Sequence, residues 1–94
     1  MAFDQLTFRS HAIRRMFQRR IAPADIHHVL RTGEIIENYP EDTPYPSRLL
    51  LGWCDTRPLH VVAADNEEDR ETIIITTYEP DPDKWESNFK KRKI

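Results

Sequence analysis

The sequence predicts an α+β domain: two N-terminal helices packed on a four-stranded, mostly antiparallel sheet, closed by a C-terminal helix. Three observations point there. Apolar residues recur with a helical period up to about Gly33 and with a strand period after it. The β-branched runs then follow one another closely, with turn-forming residues between them, as in a meander rather than in alternating βαβ units. The length, 94 residues, admits one domain with one modest core.

The first helix runs from Ser10, a natural N-cap, to about Arg20. Ala12, Ile13, Met16 and Phe17 form its apolar face, and Arg20 reaches that side with a stem able to snorkel. A short strand around Leu6–Phe8 can precede it. Pro23 opens the second helix, Asp25 complements its dipole and Gly33 stops it. Ile26, Val29 and Leu30 are its buried stripe, with His27 and His28 on or near the exposed side. Strands are expected at Glu34–Tyr39, Arg48–Trp53, Pro58–Ala64 and Thr72–Tyr78, the last being the most β-branched and therefore central. A Pro-rich loop (Pro40–Pro46), a tight turn (Asp55-Thr56) and an acidic loop (Asp65–Glu71) connect them. Pro82 then opens the last helix, on which Trp85 and Phe89 share a face. The domain is drawn as residues 1–89, followed by a frayed basic tail, residues 90–94.

Composition narrows the function. No apolar run approaches the ~20 residues that cross a bilayer, and Met1-Ala2-Phe3-Asp4 does not begin a signal peptide, so no membrane association is expected. Cys54 is the only cysteine, which excludes an internal disulfide and fits a reducing cytoplasm. No His/Cys cluster has metal-ligand spacing, and two glycines leave no Gly-rich phosphate loop, so neither metal nor cofactor is expected. The net charge of −2 conceals a strong asymmetry. Residues 1–31 carry +4, residues 32–83 carry −10 and residues 84–94 carry +4. A general polyanion binder is thereby excluded; any contact with nucleic acid must be confined to a basic patch.

That patch is found on the first helix. His11, Arg15 and Arg19 recur at i, i+4 and i+8, flanked by Arg14. Like charges so spaced repel, and a bound anion offsets the repulsion; phosphate suits the planar arginine fork. The same face can equally be solvated, or borrow acids from Asp65–Glu71. His60, within an apolar strand, reads either as a satisfied core residue or as an acid–base group. Tyr78, at a strand end, reads either as a half-buried aromatic or as a donor to an oxyanion. They share a sheet face if Ala64 pairs near Thr72, and a one-residue slip separates them. Cys54 reads as a buried small hydrophobe, and Trp53, Trp85 and Phe89 as core residues rather than as a base-stacking platform.

Four blocks, taken together, resemble the DUF4258 family. They are Ser10–Ile21, Tyr45-Pro46-Ser47, Pro58–Val62 and Ile74–Pro80, in order along residues 8–89. The resemblance implies a small protein with a RelE-like layout, similar to toxins of type II toxin–antitoxin systems, which are metal-independent ribonucleases. It also implies a zinc-finger or helix-turn-helix antitoxin as a partner. His11, Arg15 and Arg19 match the family's helical motif, His60 its strand histidine and Tyr78 its terminal tyrosine. Two departures stand out: Arg20 where the family often has glycine, and Ala22 where a capping Ser or Thr is usual.

The expected function is therefore a toxin-like ribonuclease that acts on RNA, free or on ribosomes. His11, His60 and Tyr78 would be its catalytic groups, and Arg15, Arg19 and Arg14 its phosphate ligands. The alternative is a non-catalytic module whose basic helix face grips nucleic acid or an acidic protein. Without an antitoxin, an isolated copy is expected to be able to self-associate.

Overall fold

A computed structural model describes residues 5–94, so the expectation for Met1–Asp4 lies outside the described residues. The elements in chain order are β1 (Gln5–Phe8), α1 (Ser10–Arg19), α2 (Pro23–Thr32), β2 (Glu34–Tyr39), β3 (Ser47–Cys54), β4 (Arg57–Asn66) and β5 (Glu71–Tyr78). The α+β class holds, with strands outweighing helices. The four-stranded layout with a closing helix does not hold: the sheet has five strands, in the order β1-β5-β4-β3-β2, and is mixed.

β2 to β5 form the expected antiparallel meander. β1 adds a parallel strand at the outer edge of β5, from Gln5 opposite Glu71 to Phe8 opposite Ile74. Four residues carry little signal of their own, and this short strand owes its place to the exposed edge of β5 that it covers. β1 covers only the first half of that edge, so the part of β5 ending at Tyr78 pairs with β4 alone.

Both helices lie on one face of the sheet. Ala12 and Met16 of α1, Ile26 and Val29 of α2, and Leu50, Leu59, Val61, Ala63 and Ile74 of the sheet form the core. Full burial of a side chain such as Ile26, Leu59 or Ile74 contributes about 1.5–3 kcal/mol. Gly52 lets α2 approach β3, because a Cβ there would lie 2.6 Å from Val29 Cγ2.

The helix ends differ from the sequence expectation. Ser10 is the first helical residue of α1, and Arg9 stands at the cap without a side-chain hydrogen bond. Arg20 ends the helix in the left-handed conformation, φ 55° and ψ 47°, with its N–H donating to the Met16 carbonyl. Ile13 and Phe17 face outward, 51% and 88% exposed, so the apolar face of α1 is narrower than its periodicity suggests. At α2, the Asp25 carboxylate accepts the Ala22 N–H at 2.9 Å and Pro23 opens the first turn.

No helix follows Pro82. The chain turns once, with the Asp81 carbonyl accepting N–H bonds from Lys84 (2.9 Å) and Trp85 (3.0 Å), and then doubles back. Trp85 pairs with Arg92 in an isolated antiparallel bridge, and Phe89 takes φ 60° at the reversal. The reason is tertiary. Trp85 packs edge-on to His60, whereas the Phe89 ring goes to Trp53, so the two aromatics serve different partners and cannot share one helical face. The basic end also departs from a frayed tail: the Lys93 N–H donates to the Lys84 carbonyl at 2.9 Å, and Lys90 pairs with Glu34 at 3.1 Å.

Candidate functional site

The cleft lies where β5 has a free edge. One wall is the cationic face of α1 (His11, Arg15 and Arg19), the floor is Thr76 and Tyr78, and the other wall is the C-terminal segment, with Lys84, Trp85 and Arg92. It is open and holds about 420 Å³. The i, i+4, i+8 spacing aims all three α1 groups into this one space. Arg14 falls outside it, in a smaller depression of about 180 Å³ that it shares with His11, Arg15 and Gln18.

Two carboxylates border the cleft, Glu79 and Asp81, and both are engaged. Glu79 pairs with Arg57 at 2.9 Å. Asp81 Oδ1 accepts the Asp83 N–H at 2.9 Å. Arg57 additionally donates to the Arg20 carbonyl at 2.9 Å and to the Arg19 carbonyl, fastening the end of α1 to the sheet. Among the described residues, Arg15, Arg19, Lys84 and Arg92 form no ion pair.

His60 and Tyr78 are direct cross-strand partners on one sheet face. The register here is one residue away from the expected pairing of Ala64 with Thr72: Ala64 opposes Ile73 and Asp65 opposes Thr72, a slip that alone would separate the two side chains. A bulge between Val62 and Ala63 offsets that slip and brings His60 directly opposite Tyr78. His60 is fully buried and does not line the cleft. Its Nε2–H donates to the Phe89 carbonyl at 2.8 Å. A carbonyl only accepts, so this bond leaves Nδ1 as an acceptor for the Tyr78 hydroxyl, 3.2 Å away. Trp85 closes the other side of the imidazole, with ring centroids 4.4 Å apart.

Burial holds His60 below its usual 6.5; the Phe89 carbonyl opposes this and the Arg92 charge adds to it. Burial likewise raises Tyr78 above its usual 10.0, and the Arg92 charge opposes that rise. Burial, followed by Asp25, raises the Cys54 thiol, whose S–H donates to the Asp25 carbonyl at 4.0 Å, which lowers its thiolate fraction.

Of the six residues singled out by sequence, the structure gathers His11, Arg15, Arg19 and Tyr78 in one cleft. It sets Arg14 beside that cleft and His60 behind Tyr78. Sequence reasoning missed Lys84 and Arg57, and had Arg92 only as one charge of a basic tail able to add nucleic-acid affinity, with no position relative to the cleft. A second cavity, about 500 Å³, lies at the far end of the sheet, but its Arg48 and Asp65 pair with each other at 3.1 Å. Among the described residues, no three His, Cys, Asp or Glu side chains converge to hold a metal ion. None of the described helices is long and apolar enough to cross a membrane.

Comparison with known families bears on the same residues. The domain of unknown function DUF4258 matches residues 8–79, from the end of β1 through β5. The chain belongs to the DUF4258 family. The match takes in the α1 wall, the floor and the His60–Tyr78 pair, and it ends before the C-terminal wall. Neither a curated protein nor a solved structure matches the chain.

Proposed function

We propose that this DUF4258 protein is a metal-independent ribonuclease. The observation that carries the reading is the meeting of His11, Arg15, Arg19 and Tyr78 in one cleft, with Tyr78 hydrogen-bonded to a neutral, tautomer-fixed His60. RNA brings its own nucleophile, so the protein has only to move protons and hold charge. Because the Tyr78 O–H donates its hydrogen bond to His60 Nδ1, its oxygen lone pairs remain to accept the proton of a substrate 2′-hydroxyl. The 2′-oxygen attacks phosphorus, the P–O5′ bond breaks, and the 2′-hydroxyl proton passes to Tyr78 as the Tyr78 proton passes to His60. His11 protonates the departing 5′-oxygen. Arg15 and Arg19 hold the phosphoryl oxygens as charge builds on them. The products are a 2′,3′-cyclic phosphate and a 5′-hydroxyl. His60 is a positioning residue in this scheme, since it reaches the substrate only through Tyr78.

A toxin role, with a zinc-finger or helix-turn-helix antitoxin as partner and a kinship to RelE-like toxins, belongs to the same proposal and rests on the resemblance of the motif blocks alone. One observation favours the non-catalytic alternative: both ring nitrogens of His60 are already satisfied by protein partners. RNA cleavage in EDTA decides between the two. The wild-type chain is expected to cleave RNA to cyclic-phosphate ends, and Tyr78→Phe to lose about 10²–10⁴-fold in rate. Arg15→Ala should lose both rate and affinity. Binding without cleavage supports the module; cleavage unchanged in Tyr78→Phe overturns the mechanism.

A further inference from the structure

The C-terminal segment, residues 81–93, contributes two cations to a cleft whose family-matched part ends at residue 79. We propose that this segment is the second wall of a two-phosphate site for single-stranded RNA: Arg15 and Arg19 take one phosphate, Lys84 and Arg92 the next. The inference rests on the RNA reading above and adds the form of the substrate and the residues that measure it.

Lys84 and Arg92 are held together by the backbone. The Glu86 N–H donates to the Lys91 carbonyl at 2.8 Å and the Lys93 N–H to the Lys84 carbonyl at 2.9 Å, so the two residues stand on adjacent, antiparallel stretches. Arg92 is also held at its head. Its guanidinium carbon lies 4.8 Å from the centroid of the Trp85 ring, and Trp85 is itself buried against His60. An arginine seated this way keeps its planar fork ready for a phosphate at little entropic cost.

The charge balance asks for an anion. Four cations without an ion pair among the described residues face one space, against two rim carboxylates, of which Glu79 is already paired with Arg57. Lys90, by contrast, is committed outward to Glu34. The charge distribution favours a single strand. The −10 charge of residues 32–83 repels any duplex that extends beyond the cleft.

The test compares two probes on the full chain by NMR titration at several KCl concentrations: a dinucleoside monophosphate and a trinucleoside diphosphate. Each phosphate held on a single strand adds about 0.7 to the slope of log affinity against log salt. In the wild type, the slope for the trinucleoside probe should exceed that for the dinucleoside probe by about 0.7. In Lys84→Ala/Arg92→Gln that difference should vanish, with the longer probe binding no better than the shorter. Arg15→Ala should weaken both probes. Lys84→Ala alone leaves the Arg92–Trp85 stack in place and should weaken only the longer probe, which guards against a folding defect in the double variant. Wild-type binding of the longer probe by both variants overturns the second wall and leaves the ribonuclease reading intact. Failure of the wild type to bind either probe overturns both.

Discussion

His60 shows how one residue's role depends on its partners rather than on its type. It is fully buried, yet each ring nitrogen has a partner, one a carbonyl and one a hydroxyl, so the neutral ring fits its site. Its depressed proton affinity has a consequence for stability. The unfolded chain protonates this imidazole near the usual 6.5, and the folded chain only at lower pH. Between those two values the unfolded state binds more protons, so stability falls as pH falls. The His60 contribution is therefore fully present above about pH 6.5 and is lost as pH drops through the folded value. Urea unfolding at pH 7.5 and pH 5.5 should show this loss in the wild type. His60→Gln, which keeps a donor and an acceptor, should show a smaller loss over the same interval, and an equal loss would assign it to other groups. Tyr78 was legible as a strand-end aromatic, but its tie to His60 needed the Val62/Ala63 bulge, which no local residue preference announces.

At the scale of elements, α1 is the part most fully written in the sequence. The i, i+4, i+8 cations and the Ala12/Met16 stripe each fall on one side because the helical period leaves no alternative. The period does not say how wide the buried stripe is. The sheet face under α1 reaches Ala12 and Met16, while Ile13 and Phe17 remain in solvent. The end of α1 explains one departure from the family pattern. Arg20 adopts φ 55°, where a Cβ is strained and glycine is at ease. Arg20→Gly is therefore expected to stabilise the fold by about 1 kcal/mol. A thermal midpoint raised by about 4–8 °C would report it. The Arg57 bond to the Arg20 carbonyl involves only backbone at that residue, so it survives the change. The final helix is the element that sequence misjudged. Trp85 and Phe89 have helical spacing, but His60 and Trp53 draw them to separate places.

The whole molecule is closed by its last residues. The helices cover one sheet face, and the C-terminal segment seals His60 on the other through Trp85 and the Phe89 carbonyl. Truncation after Pro80 removes a buried tryptophan and strips Nε2 of its acceptor. Loss of a large buried aromatic alone costs about 3–5 kcal/mol, set against total stabilities of about 5–15 kcal/mol. The shortened chain should unfold at a much lower urea concentration than the full chain; an unchanged midpoint would show that the segment is not part of the folded unit. The charge asymmetry has its meaning at this scale too. Two basic ends far apart in sequence become the two walls of one cleft, and of the acids between them only Glu79 and Asp81 border it.

By itself the sequence determined the α+β class, the two helices, the antiparallel meander and the cationic face of α1, because each follows from periodicity within a short stretch of chain. It also carried the family, through motif blocks that remain recognisable in order. Only the tertiary structure decided that β1 joins β5 in parallel, that His60 stands behind Tyr78 rather than in the cleft, and that Arg92 returns to face Arg15 and Arg19. Those features depend on contacts between residues distant in the chain. Such contacts are set by which surfaces are left to bury and which polar groups are left to satisfy, and neither exists until the rest of the molecule has folded.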